Sequence, residues 1–363
     1  MIGLSKEELK IIDLLIDKKQ NFVIYKLPNS TEWQFMMQER GEPQLFTDIE
    51  DLNGEEGYVI TPFRVSKEYP IVLLKGDRDS LPSLSEAESF KQNRAVAESI
   101  QPLLRREELF TSYKEQYEKF MEPLLSGCLS KVVLSRQVQM RSEKRIAVAK
   151  AFNSACKNYP NTYVYLLHTC QTGVWMGSTP ELILAGQGED WQTVALAGTQ
   201  TYPKRGDIYW DEKNLLEQDL VSQYIYMQLN KLGIIPKADG PKTIQAGSLA
   251  HLKTDFQFSL TDRSHIGNIL KLLHPTPAVC GLPKELSYQF ILNSEPNDRR
   301  YYSGFVGKLD PNGSTNLFVN LRCVQIHQKN YTLYAGGGLL SSSTFDKEWV
   351  ETEKKMQTMH SVL

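Results

Sequence analysis

A lysine opens the apolar run Lys131-Val132-Val133-Leu134-Ser135-Arg136, which continues through Gln137, Val138, Gln139 and Met140 with rough period-two alternation. That is the pattern of a β-strand. A lysine at a strand mouth has two readings. It snorkels to water, or it is partly desolvated and its pKa falls until it serves as a base near neutral pH. Glu181 follows Pro180 beside a strand-rich stretch containing Trp175 and Trp191. It is a turn carboxylate, or a carboxyl whose pKa apolar walls raise until it can donate a proton. Glu348, Glu351 and Lys355 stand at i, i+3 and i+7 near the C-terminus and share one helix face, with Trp349, Val350 and Met356 in other directions. A solvated Glu/Lys face, worth roughly 0.2–0.5 kcal/mol per pair, accounts for that spacing, and so does a ligand set. Glu217 lies among Leu215, Leu216 and Leu220, and a carboxylate in apolar company needs a partner. Two glutamates from two helices, with water, suit Mg²⁺, which takes hard oxygen ligands.

Other residues suit an anionic ligand. Leu196-Ala197-Gly198-Thr199 and Ala335-Gly336-Gly337-Gly338 are ordinary turns or bare backbone N–H groups open to a carboxylate. Arg322 lies within the apolar run Leu317 to Cys323. A buried Arg demands an anionic partner, and its planar fork matches a carboxylate. His251 and His274 flank an extended piece and the Pro275-Thr276-Pro277 corner, and His274 reads as structural. Together the charge types describe a site for a small dianion, with one base and one acid.

The elements that must hold these groups follow from periodicity and caps. Ser5 and Glu8 form a capping box before a helix. Strands are predicted at Phe22–Tyr25, Trp33–Met37, Gly57–Thr61, Ile71–Leu74, Tyr163–Leu167, Val174–Gly177, Trp191–Ala197, Ser303–Leu309, Asn316–Ile326 and Tyr331–Gly336, with one extended piece over Thr243–Phe258. Helices are predicted near Leu109–Leu124, Ile146–Cys156, Asp211–Leu232, Asp262–Leu273 and Lys284–Leu292, and from Phe345 onward. Lys75–Gln92 reads as a connection. Strands come in neighbouring runs, which predicts an α+β fold with largely antiparallel sheets. The 363 residues exceed the usual size of one core. A net charge of −2 gives no footprint for nucleic acid. No apolar run approaches the roughly 20 residues that span a bilayer. Lys6, Glu7 and Glu8 exclude a secretory signal at the start of this sequence. Five scattered cysteines, with no Cys-x-x-Cys pair, indicate neither a zinc site nor a disulfide framework, and a reducing cytoplasm is the natural compartment.

From about Leu125 onward the sequence resembles the chorismate-utilising enzymes, which include isochorismate synthase, salicylate synthase, anthranilate synthase component I and aminodeoxychorismate synthase component I. The motifs recur in order: Lys-Val-Val-Leu-Ser-Arg at 131–136, Ser-Thr-Pro-Glu-Leu at 178–182, Leu-Ala-Gly-Thr at 196–199, His-Leu at 251–252, His-Pro-Thr-Pro-Ala at 274–278, Glu-Pro-Asn-Asp-Arg at 295–299, Arg-Cys at 322–323, Ala-Gly-Gly-Gly at 335–338 and Glu-Trp-Val-Glu-Thr at 348–352. The resemblance implies large antiparallel sheets stacked between helices, in one structural unit. Residues 1–105 are its weakly matching N-terminal part and 106–363 its chorismate-binding catalytic region. It further implies that Lys131 activates water for attack at C2 of chorismate and that Glu181 protonates the departing C4 hydroxyl. Glu217 and Glu351 match Mg²⁺ ligands, and Glu348 the carboxylate that holds metal-bound water. Gly198, Thr199, His251, Ala278, Tyr302, Arg322, Gly336, Gly338 and Lys355 match the substrate pocket.

Within the family, Ala197 stands where the adduct-forming aminodeoxychorismate enzymes carry lysine, and the ammonia-using anthranilate enzymes lack the base at Lys131. Water is therefore the expected nucleophile. Ala278 resembles isochorismate synthases, where salicylate synthases tend to carry Thr, while Tyr302 resembles salicylate synthases. Asn214 replaces an acidic residue common in relatives and predicts a weaker outer contact to metal-bound water. The expectation is a cytoplasmic, Mg²⁺-dependent isomerase making isochorismate for menaquinone, a catechol siderophore or salicylate. It is expected to act as a monomer, with a weak homodimer as the alternative. Salicylate synthase is the alternative activity, and a non-catalytic chorismate-binding subunit that docks an amidotransferase is the alternative of another class.

Overall fold

The computed structural model describes residues 3–95, 103–202, 208–246 and 249–363. Its helices are α1 (Lys6–Asp17), α2 (Leu84–Ser89), α3 (Arg106–Leu125), α4 (Val148–Asn158), α5 (Glu212–Lys231), α6 (Ile266–Leu273), α7 (Lys284–Ser294) and α8 (Phe345–His360). Among the described residues, seventeen strands form two sheets. The first has eight strands, in the order β13 (Gly281–Leu282), β6 (Lys131–Arg141), β17 (Asn330–Leu339), β16 (Cys323–His327), β8 (Gly173–Thr179), β7 (Tyr163–Thr169), β1 (Asn21–Lys26) and β2 (Gln34–Gln38). The second has nine, in the order β11 (Lys237–Ala246), β12 (Leu249–Ser259), β10 (Asp190–Thr201), β9 (Leu182–Gln187), β15 (Ser314–Val319), β14 (Phe305–Leu309), β4 (Gly57–Thr61), β5 (Ile71–Leu74) and β3 (Gln44–Phe46). Neighbouring strands pair antiparallel throughout, as expected. Strands from the first 105 residues extend both sheets.

Alternation along the strands explains the layering. On β1, Phe22 and Ile24 join a core with α1 and α4, whereas Val23 and Tyr25 join an aromatic layer with Tyr58 and Ile60 of β4. Val59, between those two on β4, turns the other way, into a core with Val221, Ile225 and Leu229 of α5 and with α6. The order of layers is therefore helices, first sheet, second sheet, helices, as period two requires for strands buried on both faces. A fourth cluster, with Tyr113, Phe120, Val132 and Trp349, fastens α3 and α8 to β6. Arg136 completes it, stacked 3.8 Å from the Trp349 ring centroid and donating to Thr352 Oγ1.

The structure corrects the sequence reading at several places. Lys75–Gln92 is not merely a connection. Ser83 and Glu86 form a capping box that starts α2, a helix too short to show periodicity. The extended piece is a hairpin, β11 and β12, which begins at Lys237. The predicted Asn316–Ile326 strand is two strands, β15 in one sheet and β16 in the other. The break falls where Arg322 takes a φ of 46°, a conformation no strand interior tolerates.

Candidate active site

Two chain crossings between the sheets lie side by side. Pro180 and Glu181 carry the chain from β8 to β9, and Asn320, Leu321 and Arg322 carry it from β15 to β16. The Val319 N–H donates to the Glu181 carbonyl at 2.8 Å, and the Ser178 N–H to the Arg322 carbonyl at 3.1 Å. Leaving a sheet frees a side chain from strict alternation, so both charged groups turn into the cleft between the layers. That cleft spans about 630 Å³, part of it open to solvent, and is lined by Glu181, Gly198, Thr199, Glu217, His251, Ala278, Tyr302, Arg322, Gly336, Gly338 and Lys355.

Glu181 is only 3% exposed. Its carboxyl accepts a hydrogen bond from Thr276 Oγ1 at 3.2 Å. Burial raises its pKa from the ordinary 4.5 to about 7, against the Thr276 bond and the charges of Lys131, Lys355 and Arg322. A carboxyl that keeps its proton to near neutral pH is able to donate it. Thr276 went unassigned from the sequence, although its motif was visible.

Arg322 is buried, and among the described residues no carboxylate comes within ion-pair distance of it. One guanidinium nitrogen donates to the Ala246 carbonyl at 3.0 Å and another contacts His251 Nε2. A guanidinium can only donate, so Nε2 must accept. His251 Nδ1 then carries the hydrogen and donates to the Gly198 carbonyl at 2.8 Å. Burial, and after it Arg322, holds the His251 pKa well below its ordinary value. The imidazole is therefore neutral and acts as a strut for the arginine. Gly198 itself sits at φ +68°, at a register shift of β10 against β12, where glycine carries no steric cost. Asn214, where an acidic residue is common in relatives, is engaged with the backbone. Its Oδ1 accepts from the Thr199 N–H at 2.9 Å, and its amide donates to Asp211, so it ties α5 to the bulge. Gln218 does the same one turn on, accepting from Ala197 N–H at 2.8 Å.

Opposite stand lysine–carboxylate pairs. Lys131 is fully buried at the start of β6, and its Nζ lies 2.8 Å from Glu217 Oε1 on α5. The snorkelling reading is thereby excluded. The amine is paired, whereas work as a base needs it free. Lys355 bridges Glu351 at 2.7 Å and the Gly336 carbonyl at 2.9 Å. Lys213 donates to Glu348 at 2.5 Å. The solvated-face reading of α8 fails, since Glu348 is 1% exposed. The leucines expected around Glu217 are not its neighbours in the fold. Leu215 and Leu216 point to solvent, and the lysines supply the partners. Lys213, at i−4 from Glu217, was missed, although that spacing marks one helix face.

The glycine run has a packing reason that the sequence reading did not reach. Gly336, Gly337 and Gly338 lie inside β17, paired with β6. A Cβ at Gly338 would stand 2.3 Å from Glu217 Oε1, and one at Gly337 2.7 Å from Glu348 Oε2. The missing side chains leave the space into which both carboxylates fold. Glu348 Oε2 is buried without a hydrogen-bond partner. Among the described residues no three acidic, histidine or cysteine groups converge at metal-ligating distance. The donor chemistry nonetheless fits a hard cation: carboxylate oxygens in a glycine-walled recess, one of them unsatisfied.

The Glu-Pro-Asn-Asp-Arg motif is a support. Arg299 pairs with Glu295 at 2.6 Å and donates to the carbonyls of Val279 and Val133, while Glu295 accepts from Ser135 N–H. This buried clamp fixes β6 against α7.

The family described as chorismate binding enzyme matches residues 64–363. This chain belongs to the chorismate-binding enzymes. It is similar to the isochorismate synthase DhbC of Bacillus subtilis, 28% identical over 82% of this chain and 78% of that one. It is also similar to the isochorismate synthase EntC of Escherichia coli, 30% identical over 64% of this chain and 62% of that one. Among solved structures, the menaquinone-specific isochorismate synthase MenF of Escherichia coli superposes with a TM-score of 0.76 at 22% identity, covering 99% of this chain and 92% of that one. That likeness identifies the fold of a chorismate-binding enzyme. Among the described residues, no helix of this chorismate-binding enzyme is long and apolar enough to cross a membrane.

Proposed function

We propose that this chain is an isochorismate synthase, an isomerase that moves the chorismate hydroxyl from C4 to C2 by adding water at C2. The observation that carries the reading is Glu181, a buried carboxyl with a pKa raised to about 7, facing the same cleft as an arginine that has no carboxylate partner among the described residues. Arg322, braced by neutral His251, binds one carboxylate of the dianion, and Lys355 binds near the other. Lys131, once it has given up its proton and its pairing with Glu217, accepts the proton of the attacking water, so that hydroxide adds at C2 while the ring double bonds shift. Glu181 gives its proton to the C4 hydroxyl, which leaves as water. Mg²⁺, held by Glu217 and Glu351 with Glu348 on its water, would neutralise substrate carboxylate charge. In this reading the chain acts as a cytoplasmic monomer. Residues 1–105 complete the sheets, and 106–363 carry the site.

A second reading adds pyruvate elimination, giving salicylate. Tyr302, the residue that resembles salicylate synthases, favours it, and it lines the cleft. Incubating purified protein with chorismate and Mg²⁺ and resolving the products by chromatography tests both. Isochorismate alone supports the first, and salicylate with pyruvate the second. Unchanged chorismate overturns both.

A further inference from the structure

Each carboxylate assigned above to the metal faces an ammonium group: Glu217 faces Lys131, Glu351 faces Lys355 and Glu348 faces Lys213. Lys131 and Lys355 have roles in the proposed reaction, and Lys213 has none. It lies in the first turn of α5, and the field of Glu348, then of Glu217 and Glu351, acts on its charge. A single ammonium thus senses the whole carboxylate cluster, as a bound dication would. Its partner is only half satisfied: Lys213 takes Oε1 of Glu348, while Oε2 is buried without a hydrogen bond.

Charge balance sets the consequence. With all six groups charged, Glu217, Glu348 and Glu351 cancel Lys131, Lys213 and Lys355; burial and then Glu351 push the Glu348 pKa up, and any proton it holds makes the added dication still harder to accommodate. A dication added to this set leaves two uncompensated positive charges in a buried site, which is costly unless one ammonium departs. Lys131 is fully buried, and Lys355 is also tied to the Gly336 carbonyl. Lys213 keeps 22% of its side chain exposed, and among the described residues its Nζ makes no hydrogen bond except to Glu348. Lys355 is nearly as exposed, at 19%, but would give up its bond to the Gly336 carbonyl as well, and Lys131 has no exposed surface through which to leave.

We propose that Lys213 is a cation surrogate at Glu348 that competes with the divalent metal and so sets the metal affinity of the substrate-free enzyme. The proposal rests on the reading of Glu217, Glu348 and Glu351 as the metal site. The test is Mn²⁺ binding by electron paramagnetic resonance and Mg²⁺ binding by calorimetry, on the full chain without chorismate. Wild type is compared with Lys213→Met, Lys213→Arg and Glu351→Gln, and thermal melts check folding. Lys213→Gln replaces Lys213→Met if the latter does not fold. Loss of the competing charge is expected to tighten both metals about tenfold. Lys213→Arg, which keeps the charge, is expected to stay near wild type, and Glu351→Gln to bind at least tenfold more weakly. Unchanged or weaker binding by Lys213→Met, with Glu351→Gln weakened, overturns the role of Lys213 and leaves the metal reading standing. Unchanged binding by Glu351→Gln overturns the metal reading, and the proposal with it.

Discussion

The two walls of the cleft handle charge in opposite ways. On the wall built from the sheet crossings, charged groups stand alone. Glu181 and Arg322 have no ion-pair partner among the described residues, and His251 between Arg322 and Gly198 is neutral. On the side built from β6, α5 and α8, Glu217, Glu348 and Glu351 each have their own lysine. Burial acts on both walls, but only the first leaves its cost unbalanced. A buried acid without a cation shifts toward neutral pH and becomes a proton donor. On the second wall Glu217 has its pKa lowered: burial opposes that, and Lys131 and Lys213 outweigh it. Glu348 beside it is pushed up, by burial and then by the charge of Glu351, against the pull of Lys213. The first wall suits proton transfer and carboxylate recognition. The second suits exchange of one cation for another.

The largest expected effect breaks the paired wall at its base. Lys131→Ala should lower isochorismate formation by roughly 10²–10⁴-fold while near-ultraviolet circular dichroism stays native. More than about a tenth of the wild-type rate in the variant would remove Lys131 from the role of base.

Glu217→Gln should leave the Lys131 ammonium buried and alone, and a broken buried pair costs about 3 kcal/mol. Urea unfolding at pH 7 measures it. A loss under about 0.5 kcal/mol would mean that water already screens the pair, and the contrast between the walls would collapse.

Glu181→Gln sharpens the same contrast from the other side. The folded state holds the Glu181 proton up to about pH 7, whereas the unfolded chain releases it near the ordinary 4.5. Its stabilising contribution is therefore complete below pH 4.5 and is lost as pH rises through 7. The total is about 3 kcal/mol or less. Wild type should lose that amount relative to Glu181→Gln between pH 4.5 and 8, in denaturant melts run at each pH. Parallel pH profiles for the two proteins would place an unseen cation beside Glu181.

The smallest expected effect is at the strap between the walls. Asn214→Ala removes the acceptor for the Thr199 N–H and should cost about 1 kcal/mol. Hydrogen exchange at Thr199 should quicken, with metal affinity unmoved. A large drop in metal affinity instead would place Asn214 in the metal's outer shell.

Much of this protein was legible in local sequence. Period-two runs located most strands, Ser5 with Glu8 began α1 where expected, and Lys131 and Glu181 stood out because a charge at an apolar strand end has few explanations. These signals act over a few residues, and the sequence carries them whole. What the sequence by itself did not determine was which charge meets which. Lys213 and Glu348 lie 135 residues apart, and Thr276 and Glu181 lie 95 apart. Glu217 drew its partner from across the two sheets and not from the leucines beside it. The glycines of β17 read as bare amides until the packed carboxylates showed why a Cβ is excluded there. Arg322 read as a strand residue until its crossing put it at positive φ. Contacts of this kind exist only after the sheets have stacked, because Coulombic and steric terms depend on distance in space, and chain spacing does not encode that distance.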